Sequence, residues 1–371
     1  TVPNYYYRMN EDGTFSNGSG CSNDTASEHL MFRKYMIDSV TYWAKEYHID
    51  GFRFDLMGLH DVTTMNDIRA ALDGLYEDGS GKKILMYGEA WNMPTKADEG
   101  TMMANQQNLT QMDDRIGAFD DTIRDAIKGS TAGADKGFVQ SGGKRSDLKT
   151  GFLGQSNLGW ANVPSQCVTY ASCHDNLCLY DKLVDSVYGS SEYRKRHEDL
   201  VAMNKLSAAI VMTSQGIPFI FNGEELYRHK QGVKNSYNQP DSINAIDWTY
   251  KTTYKDLVDY YAALAAIRHA HPGFCLGDAD LVREKLEFID VDGPCVVAFR
   301  IKDLEGIDSA KSLTVLLNGS KKAAKVNIPQ GDYVILAQDG KADADGLGAY
   351  SGAYISATAT SATILAEYPA Q

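Results

Sequence analysis

From about Ser27 to His271 the chain alternates stretches of helical period with short runs that are apolar on both faces. Met31, Tyr35, Val40 and Trp43 recur at helical spacing and predict an amphipathic helix over 28–46. Further helices are expected at 63–77, 120–128, 192–214 and 254–270. Strands are expected at 48–56 (HIDGFRFDL), 83–90 (KILMYGEA), 115–119 (RIGAF), 167–173 (CVTYASC) and 217–223 (IPFIFNG). Strands buried on both faces and separated by helices read as parallel β-α units. The chemistry-bearing residues cluster at the C-terminal ends of these strands, where a (β/α)8 TIM barrel places its active site. An open doubly wound sheet is the competing α/β architecture.

Past Pro272 the texture changes. CVVAFRI, SLTVLLNG, AAKVNIP, YVILAQDG and SATILAEYP are short apolar runs broken by turn residues, with little helical period. They predict an antiparallel β-sandwich domain. The expected division is therefore 1–271 for the β/α part and 272–371 for the all-β part.

Composition narrows the partners. Asp and Glu outnumber Lys and Arg by 49 to 36, a formal charge of −13. Such a surface repels phosphate backbones and anionic lipid, so nucleic acid is a poor partner. A neutral substrate is indifferent to it. No run approaches the roughly 20 apolar residues of a membrane span. The six cysteines form no CxxC pair, and buried free thiols are the expected state. The start TVPNYYYRMN has no initiating Met and no signal-peptide pattern, as expected of a processed or partial chain.

Strand parity singles out the first candidates. In HIDGFRFDL, Gly51, Arg53 and Asp55 share one face, and Phe52 and Phe54 the other. With the phenylalanines toward covering helices, Arg53 and Asp55 point into a barrel mouth. A carboxylate beside an arginine stays ionised, as a glycosidase nucleophile must. Taken alone, the same spacing describes a buried structural ion pair. Glu89 ends MYGEAW on the next strand, beside Trp91, in a setting suited to a general acid. Retaining glycosidases hold two carboxyl groups roughly 5–5.5 Å apart, a separation that neighbouring parallel strands provide. Trp91 is either core or a stacking platform for a sugar ring. His174 and Asp175 end YASCHDN and offer hydrogen bonds to hydroxyls. Cys173, His174 and Cys178 lack a fourth ligand at suitable spacing, so no metal site is expected there. After the last strand comes a long polar loop, in which Asn235 and Tyr237 are the candidate substrate contacts.

These segments, in this order, resemble the α-amylase clan of glycoside hydrolases (family 13), and most closely its debranching branch, the type I pullulanases. The resemblance rests on YYYR…NGSGCSNDTASE, YWAKEYHIDGFRFDLMGLHD and KNSYNQPDSINAIDW and covers essentially the whole chain. It implies a (β/α)8 barrel followed by a β-sandwich, and hydrolysis of α-1,6 branch linkages in pullulan, amylopectin or limit dextrins with retention of configuration. It further implies Asp55 as nucleophile, Glu89 as acid/base and Asp175 as third carboxylate. Arg53 then orients Asp55, His174 contacts the sugar, and Asn235 and Tyr237 line the glucose sites. Two departures are GEAW where the family has GEPW, and Cys173 before the histidine. The run like DVVYNH at the family's third strand is absent, so the strands here are expected to be the fourth to the eighth. An N-terminal half carrying the first three strands is then the expected partner, as a separate or cleaved chain, alongside an α-glucan substrate. An α-1,4-cleaving or mixed amylopullulanase and a non-catalytic glucan-binding relative are the alternatives. The chemistry requires no cofactor, and a structural calcium, bound by several family members, stays open. Polymeric substrates favour export and unpaired cysteines a reducing history, which leaves the compartment open.

Overall fold

The computed structural model describes residues 2–131, 133–155, 159–189 and 192–369. Its first sheet has five strands: β1 (Gly51–Phe54), β2 (Leu85–Gly88), β3 (Ile116–Phe119), β4 (Cys167–Tyr170) and β5 (Ile217–Phe219). Their order in the sheet is β1-β2-β3-β4-β5, and β1–β2, β2–β3 and β3–β4 pair in parallel. Each strand thus lies beside its sequence neighbour. A doubly wound sheet reverses direction at a switch point, and no reversal occurs here. The winding is that of part of a β/α barrel. All five strands are shorter than their apolar runs suggested, because the chain leaves the ladder where the functional side chains begin.

The chain divides into two compact units, residues 1–119 with 155–168, and 120–154 with 169–371. In the first, the helices Leu30–Tyr47 and Val62–Asp73 join Met86, Ile116 and Ala118 in one core. The expected apolar face of the first helix is corrected. Met36, Val40 and Ala44, four residues apart, are its buried stripe, whereas Met31, Tyr35 and Trp43 are 52%, 64% and 43% exposed. Close approach of helix to sheet favours the smaller residues on the inner side. Asp61 starts the second helix by accepting from the Thr64 amide (2.9 Å). Buried Arg69 ties that helix to the Gly81 and Ile84 carbonyls at 2.9 and 2.6 Å.

In the second unit, the helices Asp121–Lys128, Arg145–Phe152, Leu179–Val187, Glu198–Thr213 and Lys255–Ala270 share a core with one face of an antiparallel sheet. Twelve residues of Glu198–Thr213 are buried, which explains why its apolar pattern has no single face. The antiparallel sheet contains β6 (Leu286–Ile289), β7 (Val296–Ile301), β8 (Ser312–Asn318), β9 (Ala324–Gln338), β10 (Lys341–Ala342), β11 (Gly348–Ala357) and β12 (Ser361–Glu367). It is one hydrogen-bonded sheet ordered β10-β9-β12-β8-β7-β6, with β11 on β9. Val297, Phe299, Ile301, Val315 and Ile364 face the helices. Val296, Ala298 and Leu316 form a second core with Val326 and Ile328 of β9 and Ile355 of β11, so the β9–β11 arm covers the other face. AAKVNIP and YVILAQDG, expected as two strands, are the single strand β9, because Pro329 falls beside a register shift where no ladder bond is required.

No helix among the described residues is long and apolar enough to cross a membrane. No disulfide bond forms among the described residues. Only Cys167 and Cys178 are buried, however, while Cys21 and Cys275 are exposed, contrary to the expectation of buried thiols throughout.

Candidate active site

Strand alternation places Phe52 and Phe54 against the helix-covered core of the first unit and turns Arg53 to the other face, in register with Tyr87 of β2. Asp55 follows directly and its carboxylate bonds Arg53. The second terminal nitrogen of Arg53 lies 2.9 Å from Glu89 Oε1. One guanidinium therefore holds both candidate carboxylates. The Asp55 side chain is 72% exposed and that of Glu89 only 9%. This asymmetry suits an open nucleophile beside a sheltered proton donor. The pairing of Arg53 with Glu89 was not foreseen from sequence spacing, which linked Arg53 to Asp55 alone.

The main chain between these groups is tightly constrained. The Glu89 amide donates to the Phe54 carbonyl (3.1 Å), and the Gly58 amide to the Glu89 carbonyl (2.9 Å). Leu56, next to Asp55, has φ 46° and ψ 44°, a left-handed conformation unusual for a branched side chain. Its amide donates to Glu89 Oε2 at 2.9 Å. Strain at Leu56 thus turns its N–H onto the second carboxylate. Gly58 has no alternative residue: a Cβ there would sit 1.9 Å from the Trp91 carbonyl oxygen. Trp91 itself is half-buried just past Glu89.

The loop after Glu89 is anchored by Asp24, which is 2% exposed. Its Oδ2 accepts from Thr95 Oγ1 (2.8 Å), Ser16 Oγ (2.7 Å) and the Gly18 amide (2.6 Å). Burial opposes ionisation, but the hydrogen bonds from Ser16, Ser19, Gly18 and Thr95 outweigh it and bring Asp24 down to about 2.

In the second unit, His174 and Asp175 lie on the turn after β4, with His174 Nε2 3.5 Å from Asp175 Oδ1 and both side chains more than half exposed. Ser172, just before that turn, donates to buried Glu224 Oε2 (2.6 Å). Burial pushes the Glu224 carboxyl up to about 7, only partly offset by the hydrogen bonds from Ser172 and Tyr261. Asn235 and Tyr237 stand on the polar loop, Tyr237 82% exposed. Between them Ser236 is 5% exposed, its hydroxyl bonded to Lys230 Nζ at 2.7 Å. Lys230, Glu224 and buried Asp181 were not among the sequence candidates. A lysine in RHKQGVK and an aspartate in a helix carry no local signal that marks them as buried.

Among the described residues, Glu28, His29 and Asp98 could offer ligand atoms within 4.8 Å of one another. Glu28 already spends both oxygens on Arg8, and imidazole is a poor donor for oxygen-seeking calcium. Calcium does not fit that group.

A family model described as "Pullulanase, all-beta domain" matches residues 282–341. The pullulanase of Bacillus subtilis (strain 168) is 36% identical over 343 residues, which is 89% of this chain and 45% of that protein. The chain has the sequence and fold of the C-terminal part of a pullulanase. The pullulanase structure from Bacillus acidopullulyticus superposes with a TM-score of 0.89 at 34% identity, covering 99% of this chain and 44% of that one. A Paenibacillus barengoltzii pullulanase, in complex with maltohexaose and α-cyclodextrin, gives 0.87 at 39% identity, covering 99% and 55%. The chain spans about half the length of these pullulanases.

Proposed function

We propose that this chain carries the catalytic groups of a retaining glycoside hydrolase that cleaves α-1,6-glucosidic branch linkages in pullulan, amylopectin and limit dextrins. The observation that carries the reading is the guanidinium of Arg53 bonded to both Asp55 and Glu89. Two carboxyl groups on one guanidinium fit the short separation of a retaining pair, roughly 5–5.5 Å. Protonated Glu89 donates to the leaving oxygen while Asp55 attacks the anomeric carbon. Glu89 then acts as base for the water that releases the sugar. Asp175 and His174 hold hydroxyls of the distorted ring, and Trp91, Asn235 and Tyr237 contact flanking glucose units. The chemistry needs no cofactor. The binding of maltohexaose and α-cyclodextrin by the Paenibacillus relative supports an α-glucan as ligand.

In this reading residues 1–271 supply strands four to eight of an eight-stranded barrel, and 272–371 a β-sandwich. β1 and β5 are the end strands of the parallel sheet. A sheet closes into a barrel only when both edges find partners. The polypeptide that completes it is the N-terminal half of the same protein, a point supported by the greater length of the relatives.

Incubation of the full-length protein with pullulan tests the linkage: maltotriose identifies α-1,6 cleavage, and panose identifies the α-1,4 alternative. Asp55→Asn should abolish turnover and leave oligosaccharide binding measurable by calorimetry. Turnover that survives this substitution would overturn the assignment of the nucleophile.

A further inference from the structure

The loop bearing Asn235 and Tyr237 presents a problem of precision. Tyr237 is a large aromatic side chain 82% exposed to solvent, yet the residue before it is almost wholly buried. Ser236 is held from two sides. Its carbonyl accepts from Asn244 Nδ2 at 2.6 Å, and its hydroxyl accepts from Lys230 Nζ at 2.7 Å. The same ammonium donates to the His174 carbonyl at 3.0 Å. A single cation, itself 5% exposed, therefore links the turn that carries His174 and Asp175 to the loop that carries Asn235 and Tyr237.

The base from which Lys230 reaches is equally fixed. Its amide donates to Asp181 Oδ2 at 2.7 Å. Asp181 is fully buried on the helix Leu179–Val187, which follows the turn. The Cys178 thiol closes the arrangement, lying 3.2 Å from Asp181 Oδ2 and 3.2 Å from the Arg228 carbonyl. Both main-chain segments flanking the candidate substrate contacts thus converge on one buried carboxylate, and Lys230 spans the gap above it. No carboxylate lies within ion-pair distance of Lys230 among the described residues, so its ammonium is spent on two oriented oxygens rather than on charge neutralisation. That pattern distinguishes a strut from an ordinary buried ion pair.

We propose that Lys230 is a positioning residue, whose ammonium sets the spacing between the His174–Asp175 turn and the Asn235–Tyr237 loop, with Asp181 fixing the main chain from which it reaches. It does not touch substrate. It determines whether the third carboxylate and the exposed tyrosine meet the same glucan at once. The inference rests on the proposed glycosidase reading and assigns to that site a residue beyond the catalytic carboxylates and their contacts.

The test uses the full-length enzyme with Lys230→Met, which keeps the stem and removes all donors, and Ser236→Ala, which removes only the loop-side acceptor. For Lys230→Met, kcat/KM on pullulan should fall about tenfold or more, since misplacement of a reacting constellation by one ångström costs up to that order and beyond. For Ser236→Ala, KM should rise about threefold to tenfold, the equivalent of one lost hydrogen bond. Lys230→Met added to Ser236→Ala should raise KM by less than the product of the two single effects, because both remove one link. KM does not depend on the amount of folded enzyme. A purely structural lysine would lower the melting temperature and leave KM and kcat per folded molecule unchanged, and that result overturns the proposal. Should Lys230→Met fail to fold, a wild-type KM in Ser236→Ala overturns it alone. A wild-type enzyme inert on every α-glucan would instead sink the functional reading and this inference with it, an outcome distinct from active enzyme with unaltered variants.

Discussion

Gly58→Ala isolates the link between packing and the proposed catalytic role of Glu89 in the first unit. The added methyl would lie 1.9 Å from the Trp91 carbonyl oxygen and 2.9 Å from its carbonyl carbon. Contacts below 3.0 Å are not tolerated, so the Trp91 peptide or the Gly58 turn must retreat by at least about 1 Å. Neither can move alone. The Gly58 amide is bonded to the Glu89 carbonyl at 2.9 Å, and Glu89 is bonded in turn to Phe54 and Leu56. The displacement therefore reaches the Glu89 carboxylate two residues away. A shift of that size costs about 100-fold in kcat when it falls on a catalytic group. The accompanying overpacking penalty is about 1–3 kcal/mol. The assay pairs maltotriose release from pullulan with a thermal melt on the same sample. Gly79→Ala serves as control, because Gly79 has φ +74° and no atom lies within 4 Å of the point where its Cβ would stand. It should cost about 1 kcal/mol of backbone strain and leave kcat per folded molecule unaltered. If Gly58→Ala lost activity only in proportion to its folded fraction, the steric route from Gly58 to Glu89 would be refuted.

Two further outcomes concern pH. Glu224 has a raised folded pKa, so its contribution to stability is fully present below the ordinary value near 4.5 and is lost as pH rises through about 7. Ser172 and Tyr261 both donate to the Glu224 carboxyl, at 2.6 and 3.1 Å, and offset its burial only in part. Glu224→Gln should therefore remove up to about 3 kcal/mol of the pH dependence between 4.5 and 7, and melting curves across that range that keep the wild-type slope would refute it. Asp24 has the opposite sign: its depressed pKa contributes stability above about pH 4 that is lost as pH falls through about 2. Asp24→Asn should lower stability at pH 7 by about 2 kcal/mol and flatten the acid limb of denaturation, as measured by urea unfolding at about pH 7 and about pH 3.

The placement of the two candidate carboxylates was legible because strand parity is a strict rule. Once Phe52 and Phe54 are assigned to the helix side, Arg53 has one direction left, and Asp55 and Glu89 fall at the ends of neighbouring strands. The first helix was misread for the opposite reason. Pattern reading weights large apolar residues, whereas the inner stripe uses Ala44 with Met36 and Val40 and leaves the tyrosines and Trp43 outside. The sharing of Arg53, the left-handed Leu56 and the reach of Lys230 depend on side chains far apart in sequence, about which local period is silent. The antiparallel region shows the same limit, since Pro329 and Gly331 punctuate the sequence yet lie within one continuous strand.

Leu56 carries a consequence for how such an enzyme changes over time. Glycine accepts φ 46° without cost, whereas leucine bears about 1–2 kcal/mol there. A lineage selected for heat resistance alone gains by replacing it, yet glycine would also loosen the amide that Leu56 aims at Glu89. The position beside the proposed nucleophile is thus one where thermal stability and an oriented amide pull in opposite directions.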